Sequence, residues 1–112
     1  MRQSEIWLIN LDPTKGAELK KVRPCIIVND DALGKLPLKI IVPITDWKDH
    51  YSMVPWMVKI EANPTNGLTK DSSADCFQVR SISQERLIKK LGSIDNNTLA
   101  EIKDALKKVF SM

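Results

Sequence analysis

The chain opens with a strand-like run and a basic turn: Glu5-Ile6-Trp7-Leu8-Ile9-Asn10, then Leu11-Asp12-Pro13-Thr14-Lys15-Gly16-Ala17-Glu18 and Lys20-Lys21-Val22-Arg23-Pro24. Apolar and β-branched residues in the first run predict a strand, and the Asp-Pro pair followed by a glycine predicts a turn. The apolar run that comes next, Cys25-Ile26-Ile27-Val28, predicts a second, buried strand. A charged loop therefore connects the first two predicted strands.

The rest of the chain continues this pattern of short strands separated by turn residues. One helix is expected at about 96–110, where an N-cap at Asp95 precedes apolar residues recurring on one face. Short strands without intervening helices predict an antiparallel sheet that curls into a small barrel or sandwich, so the fold class is mainly β with a C-terminal α-helix. The strands are expected at about 5–11, 23–29, 38–45, 54–61, 73–80 and 86–91, with turns that include Gly34-Lys35-Leu36-Pro37 and Asn63-Pro64-Thr65-Asn66-Gly67.

Length and composition limit the class of protein. A chain of 112 residues predicts one domain, residues 1–112, with its own core. The apolar runs are too short for a membrane helix, and the N-terminus runs directly into a strand, so we expect no signal peptide and a cytoplasmic location. Cys25 and Cys76 lack metal-ligand spacing, which predicts no metal and no cofactor. Both are expected to be buried thiols in strands, with a disulfide as the alternative.

Basic residues are concentrated in the first connection. The net charge of +3 is small, but Lys15, Lys20, Lys21 and Arg23 lie close together, and only Glu18 opposes them. Such a cluster attracts phosphate groups. The alternative is an ordinary solvated loop.

Five sequence blocks follow one another along the chain: the Asp-Pro-Thr-Lys-Gly turn, Arg23-Pro24, Ile40-Ile41-Val42-Pro43-Ile44-Thr45, Gly67-Leu68-Thr69-Lys70-Asp71-Ser72 and Gln78-Val79-Arg80-Ser81-Ile82. In this order and spacing they resemble the MazF/PemK (Kid-type) toxins of type II toxin–antitoxin systems. The resemblance implies an SH3-like barrel (CcdB/PemK-like) and a sequence-specific, ribosome-independent, metal-free endoribonuclease, an mRNA interferase that cleaves single-stranded RNA. It also implies a homodimer and a cognate MazE-like antitoxin whose acidic tail docks on the basic loop.

Three residues in or beside these blocks are candidates for catalysis. Arg23 offers a rigid fork of donors that matches a phosphate, and Pro24 restricts its backbone to an extended conformation. The hydroxyl of Thr45 is placed to hold a phosphate oxygen or to orient Arg23. Glu18 is a candidate base, or it fixes the arginine in position. Each residue also has an alternative without catalysis. Arg23 would be a strand-edge arginine in an ion pair, Thr45 an ordinary β-branched strand residue, and Glu18 a solvated loop glutamate.

The chain departs from the family at Asp75-Cys76-Phe77-Gln78, because Phe77 stands where many relatives have an acid. In a continuous strand Asp75 and Phe77 would share a face, with Gln78 and Arg80 on the other. Asp75 is therefore a candidate replacement base. The alternative is a strand-end aspartate paired with Lys70 or Arg80. We interpret Gln78 as mainly structural.

The remaining candidates are side chains that would bind RNA. Aromatic rings can stack on unpaired bases, and a histidine can donate a proton near neutral pH. The only histidine lies in a polar loop, where a histidine more often has no functional role. Trp7 is expected in the core. The predicted RNA-binding residues are Lys15, Lys20, Lys21, Trp47, His50, Tyr51 and Phe77.

Two rival functions remain open on the sequence. A gyrase poison of the CcdB type has the same barrel, binds a protein and cleaves nothing. A degenerate nuclease would bind RNA without turnover, which the departure at Phe77 makes a serious alternative.

Overall fold

A computed structural model of the protein describes residues 1–33 and 35–112. Glycine 34, in one of the predicted turns, lies outside the described residues. The described residues form seven strands and one α-helix, where the sequence predicts six strands and the helix. The elements are β1 (Glu5–Asn10), β2 (Val22–Ile27), β3 (Leu38–Asp46), β4 (Met57–Ile60), β5 (Ser72–Asp75), β6 (Arg80–Ser83), β7 (Leu87–Ser93) and α1 (Asn96–Phe110).

The strands form one curled antiparallel sheet in the order β4-β5-β3-β2-β1-β7, with β6 also paired to β3. The long strand β3 has three partners: its first half pairs with β6, its middle pairs with β2, and its end pairs with β5. Within the described residues no ladder joins β4 to β7, so the barrel is open. The predicted fold class, mainly antiparallel β with a C-terminal helix, is confirmed. None of the described helices combines the length and apolar character needed to cross a bilayer.

The second half of strand β2, residues 25–27, is buried on both faces, which explains the continuous apolar run there. Ile26 packs in one core cluster, and Cys25 and Ile27 pack in another. Helix α1 covers the first cluster through Ile102 and Ala105. Trp7 is only partly buried against the second cluster.

The helix begins as the sequence predicts. Asp95 is the N-cap, and its carboxylate accepts a hydrogen bond from the backbone N–H of Thr98 at 2.7 Å. This bond satisfies one of the N–H groups that a helix start leaves without a partner.

The predicted strand 73–80 is wrong, because the chain breaks it into β5, a 3₁₀ helix and β6. The carboxylate of Asp75 accepts a hydrogen bond from the N–H of Phe77 at 3.2 Å and caps the turn Cys76–Gln78. A side chain that bonds its own backbone two residues ahead competes with a sheet ladder. Asp75 and Phe77 therefore do not share a strand face, and Cys76 lies in the turn.

Both cysteines are buried and carry no disulfide. Burial raises the pKa of the Cys25 thiol and of the Cys76 thiol to about 12 in each case. The predicted buried thiols are confirmed, and Cys76 differs only in its local structure.

Candidate active site

An open cavity of about 530 Å³ contains four of the predicted site residues: Lys20, Lys21, Arg23 and Thr45. Its walls come from β1, β2, the end of β3, β7 and the loop that precedes β5. The remaining lining residues are Leu8, Val22, Pro24, Ile44, Asp46, Gly67, Leu68, Thr69, Lys70, Ser72 and Leu91.

The strand register brings Arg23 and Thr45 to the same place. Cys25 of β2 pairs with Pro43 of β3, and continuing this antiparallel register by two residues sets Arg23 across from Thr45. The Nε of Arg23 donates to the carbonyl oxygen of Lys20 at 2.9 Å. Within the described residues the guanidinium makes no salt bridge. Its charge is therefore available to an anion that enters the cavity.

The cavity is basic. Lys20, Lys21, Arg23 and Lys70 line it, and Asp46 is its one acidic residue. Lys70 Nζ lies 3.0 Å from an oxygen of Asp46, and both side chains are exposed. Sequence reasoning assigned no role to Asp46 and considered Lys70 only as a partner of Asp75. That alternative, which pairs Asp75 with Lys70 or Arg80, is wrong, because Lys70 pairs with Asp46. The excess of positive charge suits a phosphate backbone.

Glu18 does not line the Arg23 cavity. It lies on the wall of a neighbouring cavity of about 360 Å³, which it shares with Phe77 and Gln78. One oxygen of its carboxylate accepts a hydrogen bond from the backbone N–H of Lys15 at 2.6 Å. The loop thus separates two cavities, and Glu18 shapes its turn. Lys15 is exposed in the same turn.

Asp75 lines neither of these two cavities, although it is buried, with 7% of its surface exposed. Burial raises the pKa of its carboxyl group, against hydrogen bonds from Phe77 and Gln78 that lower it. Phe77 is 62% exposed, and its ring lies 5.4 Å from that of Trp56. The structure therefore separates the two predicted carboxylates from Arg23 and Thr45, and it leaves Phe77 accessible.

The other predicted aromatic residues form a cluster after the end of β3. Trp47 and Tyr51 meet edge to face with ring centroids 5.9 Å apart, and His50 lies 4.7 Å from Tyr51. The ammonium of Lys59 lies 5.2 Å from the Trp47 ring centroid. Trp47 and Tyr51 are half-buried, so part of each ring is already covered by the protein. His50 is exposed.

Three side chains near β6 hold the backbone of the β1–β2 loop, and only Gln78 had been given a structural role from the sequence. Their partners lie 59 to 76 residues away along the chain, so no local pattern could reveal these contacts. Gln78 Oε1 accepts from Leu19 N at 2.6 Å, Gln78 Nε2 donates to Ala17 O at 3.3 Å, Arg80 Nη1 donates to Leu11 O at 3.3 Å, and Arg86 Nη1 donates to Asn10 O at 3.1 Å.

Comparison with known proteins identifies the family. A family model described as a PemK-like, MazF-like toxin of type II toxin–antitoxin systems matches residues 2–110. The chain therefore belongs to the PemK/MazF toxin family, and the resemblance drawn from the sequence is confirmed.

Individual relatives agree with this assignment. Endoribonuclease MazF9 of Mycobacterium tuberculosis is 34% identical, across 96% of this chain and 93% of that protein. The crystal structure of MazF from Deinococcus radiodurans has a TM-score of 0.84 at 22% identity and covers 100% of this chain and 97% of its own. A mycobacterial endoribonuclease solved in complex with its cognate antitoxin has a TM-score of 0.77 at 16% identity, with 100% and 96% covered. Both solved structures are similar to this chain in fold.

Proposed function

We propose that the protein is an endoribonuclease toxin that cleaves single-stranded RNA at specific sequences without a metal ion. The observation that carries the proposal is the placement of Arg23 and Thr45 in one basic cavity. The 34% identity to an endoribonuclease over nearly the whole chain supports the same activity. The gyrase-poison alternative gains no support from that relative.

The chemistry that this cavity suits is attack by the ribose on its own phosphate. The 2′-oxygen forms a bond to phosphorus while the bond from phosphorus to the 5′-oxygen breaks, which leaves a 2′,3′-cyclic phosphate. The 2′-hydroxyl loses a proton, and the 5′-oxygen gains one. We place the guanidinium of Arg23 on the phosphate oxygens, where charge increases in the transition state. The hydroxyl of Thr45 donates a hydrogen bond to the same phosphate.

The carboxylates have different roles in this proposal. Glu18 shapes the loop through its bond to the Lys15 N–H. Asp75 holds the turn that carries Phe77. Neither lines the cavity of Arg23, so we assign both to the support of the site. Phe77 and the cluster of Trp47, His50 and Tyr51 contact bases on either side of the cleaved bond.

We also propose a homodimer in the cytoplasm and a MazE-like antitoxin as partner. The structural relative solved with its antitoxin supports this partner. Lys20 and Lys21 lie on the exposed basic loop, where an acidic, disordered antitoxin segment would find opposite charge and fold as it binds. An antitoxin bound there would cover the Arg23 cavity.

The decisive experiment is cleavage of a long single-stranded RNA by the purified protein in EDTA. The variants are Arg23→Ala and Arg23→Lys, with Arg2→Ala as a control that removes an exposed arginine outside the cavity. We expect cuts at a short recurring sequence with the natural protein and with Arg2→Ala. Arg23→Ala loses roughly 10²-fold or more in rate. Arg23→Lys recovers little, because an ammonium lacks the fork of donors.

The products and the binding data separate the alternatives. A 2′-deoxy substitution at the cut site should abolish cleavage if the 2′-oxygen is the nucleophile. RNA binding without any cleavage would establish the degenerate nuclease. A loss of activity in EDTA would refute the metal-free route.

A further inference from the structure

The anchoring of the β1–β2 loop by Gln78 uses both ends of one side-chain amide. Its oxygen accepts from the N–H of Leu19 at 2.6 Å, and its nitrogen donates to the carbonyl of Ala17 at 3.3 Å. The two bonds fix the loop segment 17–19 against the turn Cys76–Gln78. Leu19 and Gln78 are 59 positions apart in the sequence. Their contact is therefore a tertiary restraint on a loop that is otherwise exposed.

The residue that follows this anchor orients Arg23. The carbonyl of Lys20 accepts from Arg23 Nε at 2.9 Å, and Lys20 is the immediate neighbour of Leu19. A displacement of Leu19 would move this carbonyl, and with it the plane of the guanidinium. We propose that Gln78 is a positioning residue, which sets the orientation of Arg23 through Leu19 and Lys20. The inference rests on the proposed function of Arg23.

The turn that carries Gln78 is itself fixed. The Asp75 carboxylate is buried and accepts from the Phe77 N–H at 3.2 Å. Asp75 therefore supports the amide that holds the loop, and the chain of contacts runs from a buried carboxylate to the cavity.

The test compares three variants of the full chain. Gln78→Leu removes both bonds. Gln78→Glu keeps an acceptor for the Leu19 N–H and removes the donor to Ala17. Gln84→Leu is the matched control, because Gln84 is an exposed glutamine in the following 3₁₀ helix, Gln84–Arg86, and lines neither cavity. The measurements are kcat and KM on a single-stranded RNA, the melting temperature, and hydrogen exchange at the Leu19 amide.

We expect Gln78→Leu to lower kcat by roughly 10²-fold while KM changes less than about threefold, because a misplaced Arg23 weakens only the transition state. The Leu19 amide should lose its protection from exchange at the same time. Gln78→Glu should keep this protection and recover most of kcat, and Gln84→Leu should behave as the natural protein. A merely structural role would lower the melting temperature without this split between kcat and KM.

Two results would overturn the inference. One is a Gln78→Leu variant that loses Leu19 protection yet cleaves as fast as Gln84→Leu. The other is a loss of kcat with Leu19 still protected, which would assign Gln78 a different role. If Gln78→Leu does not fold, Gln78→Glu provides the test. The inference is then overturned if Gln78→Glu loses kcat although its Leu19 amide exchanges as slowly as in the natural protein. A natural protein that cleaves no RNA rejects the proposed function, and this inference with it.

Discussion

Asp46 and Lys70 form an ion pair, 3.0 Å between oxygen and nitrogen, at the wall of the cavity that contains Arg23. Asp46 ends β3, and Lys70 lies in the loop before β5. Both side chains are mostly exposed, so the pair contributes little to stability. Its main effect is electrostatic, because the carboxylate neutralises one of the cations that face the cavity.

Removing this carboxylate should strengthen RNA binding. Asp46→Asn leaves Lys70 unpaired in the cavity, and a further phosphate contact makes the slope of log K against log salt steeper by about 0.7 for a single strand. The free energy of unfolding should change by less than about 1 kcal/mol. The measurement is the dissociation constant of an uncleavable RNA at several salt concentrations. Asp104→Asn is the matched control, since Asp104 pairs with Lys108 on α1, 3.8 Å away and equally exposed. An identical slope for the two variants would contradict the prediction.

Glu18 should tolerate replacement by its amide. Glu18→Gln keeps an oxygen that accepts from the Lys15 N–H, whereas Glu18→Leu removes the acceptor. If Glu18 only shapes the turn, Glu18→Gln cleaves RNA within a few-fold of the natural rate and Glu18→Leu is slower. A general base contributes about 10² to 10⁴-fold, so a loss of that size in Glu18→Gln would show that Glu18 takes the proton. Single-turnover rates distinguish the two results.

The hydroxyl of Thr45 should matter more than its shape. Thr45→Val keeps the branched side chain that suits β3, and Thr45→Ser keeps the hydroxyl. We expect Thr45→Val to lower kcat by roughly 10-fold or more, because one hydrogen bond to a charged group is worth about 1.5 to 3 kcal/mol. Thr45→Ser should retain most of the activity. Equal losses in the two variants would mean that packing, and not the hydroxyl, is what the site requires.

Acid should destabilise the protein through Glu5. Burial works to raise the pKa of Glu5, but hydrogen bonds from Trp7, Arg2, Lys90 and the N-terminus outweigh it and lower the pKa from 4.5 to about 2. A lowered pKa in the folded state means that the ionised carboxylate stabilises the fold above about pH 4.5. This contribution is lost as the pH falls from 4.5 towards 2.

Urea unfolding at pH 7 and pH 2.5 measures this contribution. We expect Glu5→Gln to be less stable than the natural protein at pH 7 by roughly 2 kcal/mol, and the difference should shrink at pH 2.5. Glu101→Gln, an exposed glutamate on α1, is the control. A gap between the natural protein and Glu5→Gln that stays the same at both pH values would contradict the assignment.

Local sequence signals predict most of the strands, the terminal helix and the two central candidate site residues. Alternating and continuous apolar runs, glycine and proline turns and the Asp95 cap are local signals, and they act over a few residues. Arg23 and Thr45 could be found because each stands at the end of such a run. The family resemblance predicted that Thr45 acts together with Arg23. The register of β2 and β3 sets the two residues opposite each other.

The division of the other candidates between the two cavities depends on tertiary contacts. The break at Asp75 depends on a side chain bonding its own backbone at Phe77, which the strand-like sequence does not reveal. The anchoring of Leu19 by Gln78 joins residues 59 positions apart. Such contacts follow from the curl of the whole sheet and leave no local periodicity. The sequence therefore identified the candidate site residues, and the fold decides which of them share one cavity.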